Sequence, residues 1–277
     1  MRLTILTDNN ASRNLPAEWG FSAFIEDGGQ TILFDLGGSG LFIKNAAILK
    51  LDPLAIDFLV LSHGHWDHTW GLEDWIKQRL VAERPFDNRP SLIAHPLSLE
   101  PKFRNDMREF GVITGVATLN PQYKKRLSPT LDQLTENLIV LGEVQRVFEI
   151  DSRPLGKIYD SGGSLADDFL WDDTALAYKS GGGLVIISGC AHSGICNIVE
   201  HARNICGEER ILDIIGGFHL MDLIPDDRKM VETINYFKKI NPAQLHPCHC
   251  NDLNAKIMLA REFSVKEVRV GDTWEYL

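Results

Sequence analysis

The chain has 277 residues, 44% apolar and 24% charged, an ordinary globular balance that argues against disorder. At about 150 residues per domain it corresponds to one large domain or two small ones, long enough to bury a core without disulfide staples. Twenty-eight basic residues against 38 acidic ones leave a net charge of −10, which argues against nucleic-acid backbones and anionic membranes as partners. The start, MRLTILTDNN, offers no apolar leader, and no run reaches the ~18 apolar residues of a membrane span. A cytoplasmic location is expected, with Cys190, Cys196, Cys206, Cys248 and Cys250 as buried thiols or metal ligands rather than a disulfide framework.

In chain order, Leu3–Leu6 reads as a strand. Phe21–Glu26 and Thr31–Phe34 form a hairpin across Asp27-Gly28-Gly29. Gly37–Gly40 punctuates the chain before a helix at Leu41–Leu49. Phe58–Leu61 is a continuous apolar run of the kind a strand shows when both faces are covered, and a helix follows at Leu72–Leu80. Between residues 81 and 170 the pattern weakens: Leu92–Ala94 and Leu138–Leu141 read as strands, Glu83–Pro90 and Leu119–Pro129 as loops, and Asp160–Asp168 as a turn region. The alternation then sharpens into strand Thr174–Tyr178, turn Ser180–Gly183, strand Leu184–Ser188, helix Ile195–Asn204, strand Ile211–Ile215 and helix Arg228–Lys239. A strand-like Ala243–His246, a helix at Asn254–Glu262 and a strand at Val268–Val270 complete the chain. With no repeat and no composition break, this is one α/β domain over residues 1–277, carrying an insertion within 81–170.

The chemistry is concentrated in Leu61-Ser62-His63-Gly64-His65-Trp66-Asp67-His68. His63 and His65 are two apart, so both rings project to one side of an extended segment, Asp67 shares that spacing, and His68 opens the turn into the next helix. Three imidazoles and a carboxylate within six residues are nitrogen and oxygen donors suited to zinc, iron or manganese. They can split between two ions, His63 and His65 toward one, Asp67 and His68 toward the other. His219 follows a strand and the pair Gly216-Gly217, where glycine permits close approach of backbone to a ligand; it is a candidate for substrate contact or acid–base work. His95 reads as a strand-end residue and His201 as a helix-surface one.

These residues resemble the metallo-β-lactamase superfamily, whose HxHxDH pattern His63, His65, Asp67 and His68 match at every defined position. Ile32-Leu33-Phe34-Asp35 with Leu36-Gly37 is similar to its strand ending in an Asp-x-Gly turn, which implies that Asp35 accepts a hydrogen bond orienting a ligand histidine. Ser188-Gly189-Cys190-Ala191-His192-Ser193-Gly194, Ile215-Gly216-Gly217-Phe218-His219-Leu220 and Pro247-Cys248-His249-Cys250 resemble a branch of metal-dependent hydrolases. That branch is related to the archaeal synthase of 7,8-dihydropterin-6-ylmethyl-4-(β-D-ribofuranosyl)aminobenzene 5′-phosphate. The resemblance implies a four-layer αββα sandwich with two mixed β-sheets. It also implies metal ligation by His63, His65, Asp67, His68, His192 and His249 at a common sheet edge, with one or two ions, zinc first. Asp67 and His219 are then the catalytic candidates. The chain departs from the common pattern by placing Cys190 and the pair Asp172-Asp173 where other members carry ligands, so Cys190 and Asp173 are open alternatives to the six. His246 and Cys250 read as structural neighbours of His249.

A metal with an open position brings the pKa of bound water from about 15.7 toward about 7. Hydrolysis of an ester, phosphodiester or related bond of a small, phosphorylated substrate is therefore the first reading. Transfer with a diphosphate leaving group, implied by the archaeal relative, is the second, and a metal-binding sensor without turnover is a third.

Overall fold

A computed structural model describes residues 1–82, 89–113, 123–149, 153–159 and 163–277. The chain divides into two compact units. One comprises Met1–Pro129, Arg153–Asp172 and Arg269–Glu275, the other Thr130–Ser152, Asp173–Val268 and Tyr276–Leu277.

The first unit is built on a seven-stranded mixed sheet with the spatial order Thr273–Glu275, Arg2–Thr7, Ser22–Asp27, Gln30–Phe34, Phe58–Val60, Ser91–Ala94, Lys124–Leu127. Its first four strands are antiparallel neighbours; from Gln30–Phe34 onward the pairing is parallel. The hairpin turn is Gly28-Gly29, with φ of 57° and 78°; two central residues with positive φ are what a type I′ turn requires, and glycine meets it without strain. The helices Leu41–Leu49 and Gly71–Val81 bury Phe42, Ala46, Leu72 and Trp75 in the same apolar cluster as Leu33, Leu59 and Leu92 of the sheet. A second, three-stranded antiparallel sheet joins Leu165–Asp168, Gly156–Tyr159 and Lys102–Phe103.

The second unit repeats the plan with six strands in the order Gln244–Pro247, Ile211–Gly216, Gly183–Ser188, Ala175–Ser180, Leu138–Val140, Asp132–Gln133. The first three are parallel and the rest antiparallel. Gly183–Ser188 is buried throughout, as an apolar strand covered on both faces must be. Helix Ile195–Cys206 presents Ile195, Ile198, Val199, Ala202 and Cys206 to the core, the i, i+3, i+4, i+7 stripe of an amphipathic helix, and ends at Gly207 in the left-handed conformation.

Three sequence expectations need correction. Within the expected loop Leu119–Pro129, Lys124–Leu127 is an edge strand parallel to Ser91–Ala94; its exposed Lys-Lys-Arg hides it from a pattern search and is the charged edge that discourages further pairing. Leu165–Asp168, within the expected turn region, pairs with Gly156–Tyr159, so the chain forms a third, smaller sheet in addition to the two mixed ones. Val268 and Val270 are buried but form no strand: Val270 N–H donates to Asn10 O and Gly271 N–H to Ile5 O, and the strand lies three residues on, at Thr273–Glu275. The expected loop at Glu83–Pro90 falls largely outside the described residues. All five cysteines are buried and none is in a disulfide. No helix among the described residues is long and apolar enough to cross a membrane.

Candidate metal centre

In the first unit the chemically interesting residues lie just past the carboxyl ends of the parallel strands: Asp35 after Gln30–Phe34, and His63, His65, Asp67 and His68 after Phe58–Val60. Such strand ends are where open α/β sheets gather ligands. His63 and His68 are fully buried, and His65 and Asp67 nearly so. The ring of His63 sits 4.6 Å from that of His65 and 4.3 Å from that of His68, centroid to centroid, and His68 Nε2 lies 3.9 Å from Asp67 Oδ2. The loop is fixed by its backbone. Trp66 N–H donates to Phe110 O, while the carbonyls of Asp67 and His68 accept from Phe21 and Leu36.

Two of these imidazoles are oriented from behind. His68 Nδ1 is 2.7 Å from Asp35 Oδ2, and His63 Nδ1 is 2.9 Å from Ser62 Oγ. Asp35 also accepts from Ser62 N–H at 2.7 Å and from Ser62 Oγ–H at 2.6 Å, so three donors compensate a carboxylate with no solvent exposure. It holds this position at φ 59°, a left-handed conformation that costs a non-glycine residue of order 1–3 kcal/mol and clusters at functional sites. Burial pushes the pKa of His65 from 6.5 down to about 3, against the opposing pull of Asp67; the ring is therefore neutral at pH 7, the form in which imidazole binds metal.

Sequence reasoning missed a buried ionic network beneath this loop. Lys102 Nζ donates to Asp168 Oδ2 at 2.8 Å and to Asp172 Oδ1 at 3.0 Å, and the other oxygen of Asp172 accepts from Gly64 N–H at 2.8 Å. Gly64 separates His63 from His65, and a Cβ there would lie 2.6 Å from Ser98 O and 2.8 Å from Lys102 Cε. Lys102 thus braces the loop through Asp172 and by packing.

The second unit also places its candidates past the carboxyl ends of parallel strands: Cys190 and His192 after Gly183–Ser188, His219 after Ile211–Gly216 and His249 after Gln244–Pro247. Ala191, His219 and His249 have φ of 57°, 52° and 49°, so each of the three loops turns through the left-handed region at or beside a candidate. Cys190 Sγ lies within 4.8 Å of a ring nitrogen of His192 and of one of His249, and the rings of His192 and His219 are 4.4 Å apart. Cys250 ties the loops together, its S–H donating to Cys190 O and its sulfur accepting from His219 N–H at 3.3 Å. His246 is structural: its Nδ1 meets Asp213 Oδ1 at 2.8 Å, and Tyr276 O–H donates to Asp213 Oδ2. Asp173 Oδ2 accepts from both N–H and Oγ–H of Ser193, which assigns this carboxylate oxygen to holding the His192 loop.

Gly216-Gly217 serves the protein's own backbone rather than a ligand's. A Cβ on Gly216, whose φ is +119°, would lie 1.9 Å from Ser188 O, and one on Gly217 would lie 2.4 Å from Gly189 O and 2.5 Å from Cys250 Sγ. Gly216→Ala is therefore expected to destabilise the protein by about 2–3 kcal/mol, read as a lowered urea midpoint. His95 ends a strand, as its position predicts, and its Nδ1 caps the turn that follows by accepting from Leu97 N–H. His201, expected on a helix surface, is half-buried and bonds Leu141 O at 3.3 Å.

A family profile described as "Metallo-beta-lactamase superfamily" matches residues 20–140. A protein of Methanocaldococcus jannaschii named 7,8-dihydropterin-6-methyl-4-(beta-D-ribofuranosyl)-aminobenzene-5′-phosphate synthase is 30% identical over 95% of this chain and 92% of its own. The chain belongs to the metallo-β-lactamase superfamily. An uncharacterised protein of the same archaeon is also 30% identical, over 94% of both chains. The crystal structure of Tm1679, described as a metal-dependent hydrolase of the β-lactamase superfamily, superposes with a TM-score of 0.82 at 25% identity, covering 99% of this chain and 98% of its own. The superfamily is largely enzymatic and binds divalent metals. The donors of this member fit such an ion. His63 and His68 have Nδ1 engaged by Ser62 and Asp35, which orients each ring and leaves Nε2 as the nitrogen that could meet an ion.

Proposed function

We propose that the protein is a metal-dependent hydrolase acting on an ester, phosphodiester or related bond of a small phosphorylated molecule. The observation that carries this reading is the pair of buried imidazoles held from behind, His68 by Asp35 and His63 by Ser62. That arrangement suits metal ligation and has little purpose in a core that merely packs. On this reading His63, His65, Asp67, His68, His192 and His249 hold one or two ions, zinc foremost, with iron or manganese as the alternatives. A bound ion supplies water acidic enough to attack at neutral pH.

The chain's own groups do the rest. Asp67 Oδ2 accepts from the Trp19 indole N–H at 2.9 Å, so the carboxylate is held in one orientation, as a ligand to an ion requires. Lys229 Nζ donates to His219 O at 2.7 Å and lies 3.4 Å from His219 Nδ1. An ammonium has only donors, so Nδ1 accepts and the proton of the neutral ring sits on Nε2. That tautomer presents Nε2–H as a hydrogen-bond donor to a leaving-group oxygen; the imidazolium form would be the one that gives up a proton. A net charge of −10 accords with a small-molecule substrate rather than nucleic acid or a membrane surface, and five cysteines without a disulfide suit a reducing, cytoplasmic setting.

A second reading, transfer, is favoured by the likeness at 30% identity to a protein named as a synthase. One experiment separates the two. Purified protein is assayed for bound metal, then offered phosphodiesters, thioesters, lactones, and a dihydropterin diphosphate with and without a ribofuranosylaminobenzene phosphate. Turnover is expected to vanish on chelation and return with zinc. Product that joins pterin to the aminobenzene replaces hydrolysis by transfer, and a protein that binds no metal and turns over nothing overturns both readings.

A further inference from the structure

Three cysteines, Cys190, Cys248 and Cys250, sit on the loops that carry the second unit's histidines. Cys250 is committed to the loops themselves, through Cys190 O and His219 N–H, and Cys248 lies fully buried at the start of its loop, its N–H bonded to Gly216 O. Cys190 differs. Its sulfur lies within 4.8 Å of a ring nitrogen of His192 and of one of His249, residues 2 and 59 positions away in sequence. Two donors on one zinc ion, with Zn–S near 2.3 Å and Zn–N near 2.0–2.1 Å, stand roughly 3.6 Å apart in tetrahedral geometry. The observed spacing is thus on the scale of a shared ion.

Local structure aims the thiol there. The strand Gly183–Ser188 ends two residues earlier, and Ala191 takes φ 57°, turning the chain so that the sulfur of Cys190 and the ring of His192 approach each other. Asp173 pins the next residue, Ser193, through two hydrogen bonds, and Asn197 Nδ2 donates to Ser193 O at 2.7 Å. Cys250 S–H holds the Cys190 carbonyl. A loop with this many restraints presents a fixed donor rather than a side chain filling space.

We propose that Cys190 is a metal ligand, its thiolate joining the imidazoles of His192 and His249 as a donor. The inference rests on the metal-dependent reading above and adds sulfur to an otherwise nitrogen and oxygen donor set. Coordination exchanges the S–H bond for an S–metal bond, and the proton leaves to solvent, so metal uptake releases one proton for this ligand. A thiolate also selects: soft sulfur favours zinc over manganese and magnesium.

The test is X-ray absorption at the zinc edge of the zinc-loaded full chain, with the cobalt-substituted protein as a second probe. A sulfur scatterer near 2.3 Å and a near-ultraviolet sulfur-to-cobalt charge-transfer band are expected, both lost in Cys190→Ser. A first shell of nitrogen and oxygen alone overturns the proposal while leaving the metal-dependent reading in place. So does a sulfur signal that persists in the folded Cys190→Ser variant, because it comes from another cysteine. A protein that takes up no metal overturns both. Should the serine variant not fold, Cys190→Asp keeps a coordinating group of similar reach, and metal retained without the band supports the assignment. A wild-type spectrum without sulfur overturns the proposal whatever the variants do.

Discussion

Lys102→Met is expected to lower the unfolding free energy by about 3–5 kcal/mol, the usual cost of removing one partner from a buried ionic network. The ammonium is buried against Asp168 and Asp172, and methionine fills similar volume while leaving both carboxylates without their cation. Urea unfolding as a function of pH distinguishes this from loss of packing. Burial raises the pKa of Asp172, but the Lys102 ammonium outweighs it and holds the carboxyl below its usual value of 3.8. The native state therefore binds fewer protons than the unfolded one in that range, and this contribution is complete above pH 3.8 and lost as pH falls through the depressed value. For Lys102, burial works against the charge and the carboxylates of Asp172 and Asp168 outweigh it, raising the pKa above 10.5. That contribution is present below 10.5 and lost as pH rises through the raised value. The wild type keeps the network intact across the neutral range. In Lys102→Met the Asp172 carboxylate loses the cation that depressed it, burial dominates there, and the deficit relative to wild type shrinks as pH is lowered from 7 to 5. A deficit constant over that interval would mean that the lysine acts by packing alone.

His219→Ala should reduce turnover by roughly 10²–10⁴-fold, the range for a lost general acid or base, with bound metal unchanged. The ring lies 4.4 Å from that of His192, near enough to reach a substrate held beside His192, and Lys229 sets its tautomer. Metal content by elemental analysis and kcat on the substrate found in the panel are the two readouts. Intact kcat would reduce His219 to a loop-packing residue; lost metal would make it a ligand and reopen the assignment of His192.

Contiguity decided how much of this site could be read from the chain. His63, His65, Asp67 and His68 stand within six residues, and donors packed that densely after an apolar strand point to metal chemistry before any fold is known. The role of Asp35, at the end of Thr31–Phe34, came only from the resemblance, and its bond to His68 Nδ1 has the form the resemblance implied. Lys102 and Asp168 were invisible, and Asp172 stood out only beside Asp173, without its ionic role. The bonds between them span 66 and 70 residues, and a lysine in so short a strand reads as a solvated side chain until the fold buries it. Lys124–Leu127 was missed for the opposite reason: its order comes from backbone pairing with Ser91–Ala94, to which side-chain pattern contributes nothing. Gly216-Gly217 was rightly marked as a place of close approach, but what approaches is the carbonyl of Ser188 or Gly189. Sequence shows that space is needed there without showing who occupies it.

The strand Arg2–Thr7 has neighbours of very different origin. On one side lies Ser22–Asp27, a nearby segment of the chain; on the other is Thr273–Glu275, with Arg2 opposite Glu275 and Leu3 opposite Trp274. At synthesis rates of about 5–20 residues per second, the ribosome delivers that second partner roughly ten to fifty seconds after the first. For that interval the nascent sheet carries an open margin of backbone donors and acceptors beside Leu3 and Ile5, both fully buried in the finished protein. Such a margin is a template for pairing with another chain. Truncations that remove Thr273–Glu275 would make the interval permanent, and are expected to express as aggregate even though every residue named in the metal centre is retained.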